Sequence, residues 1–138
     1  MRKLTTIEQA NADVLGDAAL FHVTGTILNK NIQDCNAAIR DLLKREGVID
    51  YAELEPGDKV TLEGVYSDGT ETTISAYRAK TRGDKRIWFN SLKNYADAGD
   101  IMALVIRGGK LVIQNVTKGI AVAVFAIPAL DTMARMTF

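Results

Sequence analysis

The stretch Val60-Thr61-Leu62-Glu63-Gly64-Val65-Tyr66-Ser67-Asp68-Gly69-Thr70-Glu71-Thr72-Thr73-Ile74-Ser75-Ala76 decides how the chain is read. Side chains alternate between the two faces of a strand, so Val60, Leu62 and Tyr66 share one face of a first strand, and Thr72, Ile74 and Ala76 one face of a second. Asp68-Gly69 separates the runs, and Asp-Gly between alternating segments is a strong hairpin signal because such turns need residues that accept positive φ. A second hairpin comes later as Ile101 to Ile106, a turn at Gly108-Gly109, and Leu111 to Val116; a last apolar strand is expected over Ile120 to Ile127, ending before Pro128. Each hairpin opens on Gly-Asp, at Gly57-Asp58 and at Gly99-Asp100. The echo fits pseudo-symmetric halves of a small barrel, and equally the ordinary use of Gly and Asp at strand ends.

Upstream, Ala18 to Thr24 holds Leu20, Phe21 and Val23 and reads as the first strand, followed by a polar loop or strand extension over Gly25 to Asn31. Two helices are expected. Thr5 with Glu8, or Thr6 with Gln9, fits a capping box, and Ile7, Ala10, Val14 and Leu15 form an apolar stripe that stops at Gly16. Cys35, Ala38, Ile39, Leu42 and Leu43 recur at helical spacing after an N-cap at Asn31 or Asp34; Lys44 and Arg45 suit the C-terminal dipole, and Gly47 ends the helix. One good helix among six or seven strands implies a partly closed barrel with the helix plugging one end.

A chain of 138 residues suits one domain, and 47% hydrophobic with 25% charged residues is the balance of a folded protein, not of a disordered, collagen-like or coiled-coil chain. The longest apolar run, Gly119 to Leu130, falls short of the roughly 20 residues of a membrane-spanning helix. Met1-Arg2-Lys3 leads into polar Thr5 to Asn11, where a secretory signal needs an apolar stretch. The expectation is a cytoplasmic protein with no membrane partner. Cys35 is the sole cysteine and His22 the sole histidine, so neither a disulfide nor a metal site is expected.

Catalytic constellations are missing from the sequence. His22 has no second histidine to share a metal or a nucleophile, and between Phe21 and Val23 it reads as a structural residue. No Asp-x-Lys or Glu-x-Lys occurs, and neither G-x-G-x-x-G nor G-x-x-x-x-G-K-[ST] is present. Glu53 and Glu55, before Pro56, read as solvated charges, and Cys35 reads as a small core hydrophobe.

The formal net charge of zero hides a strong segregation. Residues 49 to 77 carry seven acids against Lys59, a net −6, whereas residues 78 to 93 carry Arg78, Lys80, Arg82, Lys85, Arg86 and Lys93 against Asp84, a net +5. If Tyr77 ends one strand and Ile87 to Phe89 begins another, the residues between project as a turn with Gly83-Asp84 at its tip, an arm able to enter a DNA major groove. Arginine pairs bidentately with guanine, lysine and threonine hold phosphate, and an acid accepts from the cytosine amino group. Asp84 is the telling residue, because an acid only weakens a patch that seeks phosphate alone. A solvated hairpin whose charges keep an edge soluble is the alternative for the same residues.

The octad Lys80-Thr81-Arg82-Gly83-Asp84-Lys85-Arg86-Ile87, followed by Ala98-Gly99-Asp100-Ile101-Met102-Ala103-Leu104, resembles the DNA-binding pseudobarrel family. That family includes the N-terminal effector domain of the EcoRII restriction endonuclease and the B-three domains of plant transcription factors. The order of strand, polar arm, helix, two strands, basic arm and two strands is similar over residues 18 to 127, leaving a short N-terminal helix and a C-terminal tail. The resemblance implies a mainly β, α+β fold: a single domain over residues 1 to 138 built as a seven-stranded open pseudobarrel with one or two helices. It also implies two arms that grip the major groove. The firmest carry-over is to Lys80, Arg82, Asp84, Lys85 and Arg86, and Thr81 is expected to contact DNA with them. The other arm, Thr24 to Gln33, matches by position only and is less basic than the family pattern; there Asn29, Asn31 and Gln33 would read adenine and Lys30 hold phosphate.

The expected function is sequence-specific double-stranded DNA binding, as the recognition or effector domain of a type II restriction endonuclease, with CC(A/T)GG the first target. No cofactor, metal or catalysis is expected of this chain, the nuclease being a fused or partner domain. Trp88, at the start of a strand, is expected in the core beneath the arm. The alternatives are a non-catalytic protein-interaction module, such as a phage or plasmid inhibitor, and a small enzyme whose site forms between subunits with His22 or Cys35.

Overall fold

The alternation in residues 60 to 76 folds as the expected hairpin, β2 (Lys59–Tyr66) against β3 (Glu71–Arg78), in antiparallel register from Lys59 opposite Tyr77 to Val65 opposite Glu71. The computed structural model describes residues 1–119. Before the hairpin come α1 (Thr6–Leu15), β1 (Ala19–His22), α2 (Gly25–Lys30) and α3 (Ala37–Arg45); after it come β4 (Lys85–Phe89), β5 (Ile101–Arg107) and β6 (Lys110–Asn115). The strands form one sheet in the order β1-β5-β6-β2-β3-β4, antiparallel except where β6 runs parallel to β2. The expected strand at residues 120–127 lies outside the described residues.

The sheet curls into a half-barrel. β1 and β4 stand at opposite ends of the strand order, yet Phe21 of β1 and Phe89 of β4 stack with ring centroids 5.0 Å apart and planes 4° apart. Inside the curl, Ile39, Leu42 and Leu43 of α3 are buried among Ile74, Ile87, Met102, Leu104 and Ile113. The outer edge of β4 is partly covered by the segment entering α3: Ile87 N–H donates to Gln33 C=O at 3.1 Å and Cys35 N–H to Lys85 C=O at 2.9 Å. Asn36, rather than Asn31 or Asp34, caps α3, its side chain accepting from Ile39 N–H at 2.9 Å. At the other end Gly47 has φ +71, with Gly47 N–H bonded to Lys44 C=O and Val48 N–H to Leu43 C=O, which satisfies the terminal carbonyls.

The second hairpin turns on Gly108-Gly109, both at positive φ, with Arg107 opposite Lys110. Asp68-Gly69 sits in a wider turn, closed by Tyr66 N–H to Thr70 C=O at 2.9 Å and by the Asp68 carboxylate accepting from Thr70 N–H. The two Gly-Asp pairs make the same bonds. Gly57 N–H donates to Arg78 C=O and Arg78 N–H to Asp58 C=O; likewise Gly99 N–H donates to Val23 C=O and Val23 N–H to Asp100 C=O. Each Asp carboxylate also accepts from the amide three residues earlier, Glu55 or Asp97, at 2.9 Å.

β5 is buried on both faces, and its second face, with Ile101, Ala103 and Val105, packs against Ala12 and Leu15 of α1. Thr5 and Glu8 form the expected capping box, but the expected apolar stripe is not the buried one. Glu8, Ala12 and Leu15 face the sheet, whereas Ile7 and Val14 are 69% and 55% exposed. The reason is polar: the buried Glu8 carboxylate accepts from both Arg2 guanidinium nitrogens at 2.7 and 2.6 Å, from Thr5 N–H at 2.9 Å and from the Thr117 hydroxyl at 2.5 Å. Helical spacing alone cannot tell that a carboxylate with four donors outranks an isoleucine for the inward position.

The Arg2 hydrogen bond, with those of Thr117 and Thr5, holds the Glu8 carboxyl well below the usual carboxylate range. A carboxyl depressed on folding contributes stability that is complete above its unfolded pKa of about 4.3 and is lost as the pH falls toward the folded value. Urea midpoints measured from neutral pH downward should therefore fall more steeply in the wild-type chain than in Glu8→Gln once the pH drops below about 5. Parallel curves would show that the carboxylate contributes nothing.

Candidate nucleic-acid interface

The basic segment forms the tight connection between β3 and β4. Ala79 N–H donates to Asp84 C=O at 2.9 Å and Gly83 N–H to Ala79 C=O at 2.8 Å, so residues 79 to 84 close on themselves and present Lys80, Thr81 and Arg82 to solvent. Arg78 braces this loop from within, donating through Nε to Gly83 C=O at 2.7 Å and through Nη1 to Leu54 C=O at 2.7 Å. Its charge is therefore spent on architecture, a role that a count of basic residues does not reveal.

Asp84 occupies the centre of the charge. Its Oδ2 accepts from Arg82 Nη2 at 3.2 Å and from Arg86 Nη2 at 3.0 Å. The Arg82 hydrogen bond, aided by the charges of both arginines and opposed by desolvation, lowers the Asp84 pKa, so the carboxylate is ionised at neutral pH. Two guanidinium groups that would repel one another thereby share one anion; Arg82 keeps most of its N–H donors in solvent, whereas Arg86 is largely buried, its Nε enclosed 4.0 Å from the Asp34 carboxylate.

Strand register extends the site beyond the octad. Lys59 lies opposite Tyr77 and Tyr77 opposite Arg86, and one step on Ser75 lies opposite Trp88. These side chains share the face of β2-β3-β4 that points away from the core occupied by Ile74, Ala76, Ile87 and Phe89. An open groove runs beneath the loop between Lys59, Tyr77, Lys80, Arg82 and Arg86. A second hollow continues it along Lys59, Ser75, Tyr77 and Trp88 to Asn31. Trp88 is half-buried: it packs against the core, as expected, and also lines this hollow. Lys59 and Tyr77 escape a linear reading because nothing local announces that a residue 18 positions away stands opposite; period-two alternation was the available signal.

The expected polar arm is instead the short helix α2, capped by the Thr24 hydroxyl accepting from Ile27 N–H at 3.2 Å and ended by Asn31 at φ +56. Asn29, Lys30 and Asn31 are exposed. Gln33 departs from expectation: it is 4% exposed, and its carbonyl pairs with β4, which withdraws it from solvent. Lys85 is exposed but leaves β4 from the face opposite Arg86. The structure thus brings Lys80, Thr81, Arg82, Asp84, Arg86 and Asn31 to one continuous surface.

Burial pushes the Cys35 thiol up to about 11, against the opposing influence of Tyr51 and Arg40, so it is protonated at neutral pH and a poor nucleophile. Among the described residues no group of three or more His, Cys, Asp or Glu is placed to hold a metal, and no helix is long and apolar enough to cross a membrane. No known family, curated protein or solved structure matches the chain.

Gly83 is the position on which the loop turns. Its φ is +71, and a Cβ there would lie 2.6 Å from Arg78 Nη2. Gly83→Ala should cost about 1–2 kcal/mol for the left-handed backbone alone, and more if the Arg78 brace is displaced. Chemical denaturation measures it; unchanged stability would mean that the loop is not held as described.

Proposed function

We propose that this chain is a pseudobarrel DNA-recognition domain that binds double-stranded DNA sequence-specifically and has no catalysis of its own. The observation that carries this reading is the pair Arg82 and Arg86 yoked by Asp84 on a projecting, internally braced loop. A B-DNA major groove is about 12 Å wide and presents guanine O6 and N7 as a bidentate target for arginine. Pre-oriented guanidinium groups suit base reading, because less side-chain freedom is lost when they bind. Lys80, Thr81 and Lys59 line the flank that phosphates would follow, and the exposed residues Asn29, Lys30 and Asn31 supply a second point of contact. Lys85 adds charge at the rim. Asp84, having oriented both arginines, retains lone pairs able to accept from a cytosine amino group.

The octad's likeness to the EcoRII effector domain supports a role as the recognition or effector part of a type II restriction system in the cytoplasm, with the nuclease supplied by a fused or partner domain. CC(A/T)GG is accordingly the first duplex to test.

Fluorescence anisotropy with a CC(A/T)GG duplex and a scrambled duplex, across a salt series, tests the reading. Arg82→Ala and Arg86→Ala should each weaken the preferred duplex about 5- to 100-fold, the loss of one bidentate base contact, and narrow the gap between duplexes. Lys80→Ala should weaken both alike and reduce the salt slope by about one. Equal binding to both duplexes calls for selection from random sequences to find the target. Absence of binding at low salt, to these and to the random pool, overturns the DNA reading and favours a protein partner.

A further inference from the structure

We infer that the hollow formed by Trp88, Tyr77 and Asn31 takes a single nucleobase that has left its stack. The inference rests on the nucleic-acid reading of the neighbouring loop and adds a second mode of contact to it. The two parts of the groove differ in chemistry. Under the loop the lining is charged, with Arg82 and Arg86 around Asp84 for base edges and Lys80 and Lys59 for phosphate. Beyond Lys59 it becomes two aromatic side chains, an amide and a hydroxyl, from Trp88, Tyr77, Asn31 and Ser75. The amide and hydroxyls can donate to phosphate as well as to a base, but the two rings add a stacking surface that only a base can use. Together these groups fit a flat base that stacks through its π-face and bonds through its edge. Lys59 borders both parts, so the phosphate belonging to such a base has a cation beside it.

Among the described residues, the polar side chains of this hollow other than Lys59 find no hydrogen-bond partner. The chain has four tyrosines, and three donate their hydroxyls internally: Tyr51 to Arg86 C=O, Tyr66 to Asn90 C=O and Tyr95 to the Asp68 carboxylate. Tyr77 bonds to no described residue, and neither do the side chains of Asn31, Ser75 and Trp88. Asn31 also stands in the left-handed conformation where helix ends favour glycine; asparagine there keeps an amide at the rim. A base inside a duplex offers no face for stacking, so the guest is either extruded from a duplex or already single-stranded.

Trp88 is the only tryptophan, so its emission reports on this hollow alone. The full chain is titrated with a CC(A/T)GG duplex, with the same duplex carrying a mismatched central pair, and with one of its single strands, following anisotropy and Trp88 emission together. The expected result is quenching of Trp88, with the mismatched duplex bound about tenfold more tightly than the paired one, since less pairing must be broken. Asn31→Gly and Tyr77→Phe, which keep the cap and the ring, should each cut that preference several-fold while the melting temperature holds. Binding of both duplexes with equal affinity and unchanged Trp88 emission overturns the base site and leaves the DNA reading standing. Quenching by the single strand without duplex binding supports the base site and overturns the duplex reading. Silence in both signals overturns both.

Discussion

The stack of Phe21 on Phe89 joins the first strand of the sheet order to the last, and the rest of the structure depends on that closure. Twist alone leaves a six-stranded sheet open, with one face in need of cover. Once the two rings meet, the sheet has an inside, which α3 fills with Ile39, Leu42 and Leu43. An aromatic pair of this kind contributes about 0.5–1.5 kcal/mol beyond its buried area, a small term beside the core it encloses. Its larger effect is positional. Closure sets the chain leaving β1 against β4, where Asp34 bridges to Arg86, and so brings Asn31 beside Trp88.

Charge is unevenly distributed over the half-barrel. The β2-β3 hairpin carries Asp68 and Glu71 at its turn and Glu63 along its length, whereas its opposite end holds Lys59, Arg78 and the basic loop, with the exposed Glu55 and Asp58 beside them. The basic loop therefore rises from a rim of mixed charge rather than from a uniformly positive end. Within the basic loop, Asp84 removes one unit of charge and in return fixes two guanidinium groups. A surface selected for attraction alone would lack that acid; one that must present donors in a set geometry gains from it.

The hairpins were legible because period-two alternation and Asp-Gly or Gly-Gly turns are local facts of backbone and side chain. The same holds for the capping box at Thr5 and for Gly47 after α3. Legibility failed where a tertiary partner outranked a local preference. Four donors draw Glu8 inward and leave Ile7 and Val14 outside. Thr24, able to cap, turns the expected polar arm into α2, and pairing with β4 buries Gln33. The octad was visible as a run of charge, but the line Lys59-Tyr77-Arg86 depends on register between distant segments, which no short window contains.

The Gly-Asp echo, faint in sequence, is where topology and the candidate site meet. Each pair clamps the chain at the end of a neighbouring strand through two backbone hydrogen bonds, at Arg78 in one copy and at Val23 in the other. The residue after Arg78 opens the basic loop, and the residue after Val23 is Thr24, the cap of α2. Both projecting segments therefore spring from equivalent positions, each anchored at its base by the same turn. Anchoring at the root lets a short segment reach out without surrendering its geometry, because the clamp removes the backbone freedom that a free-standing loop would have to lose on binding. The copies differ in what they launch: one adds the Arg78 brace and an acid shared by two arginines, the other a single short helix ending in an exposed asparagine. The two Gly-Asp clamps thus share one pattern of bonds and differ in the segment that each anchors.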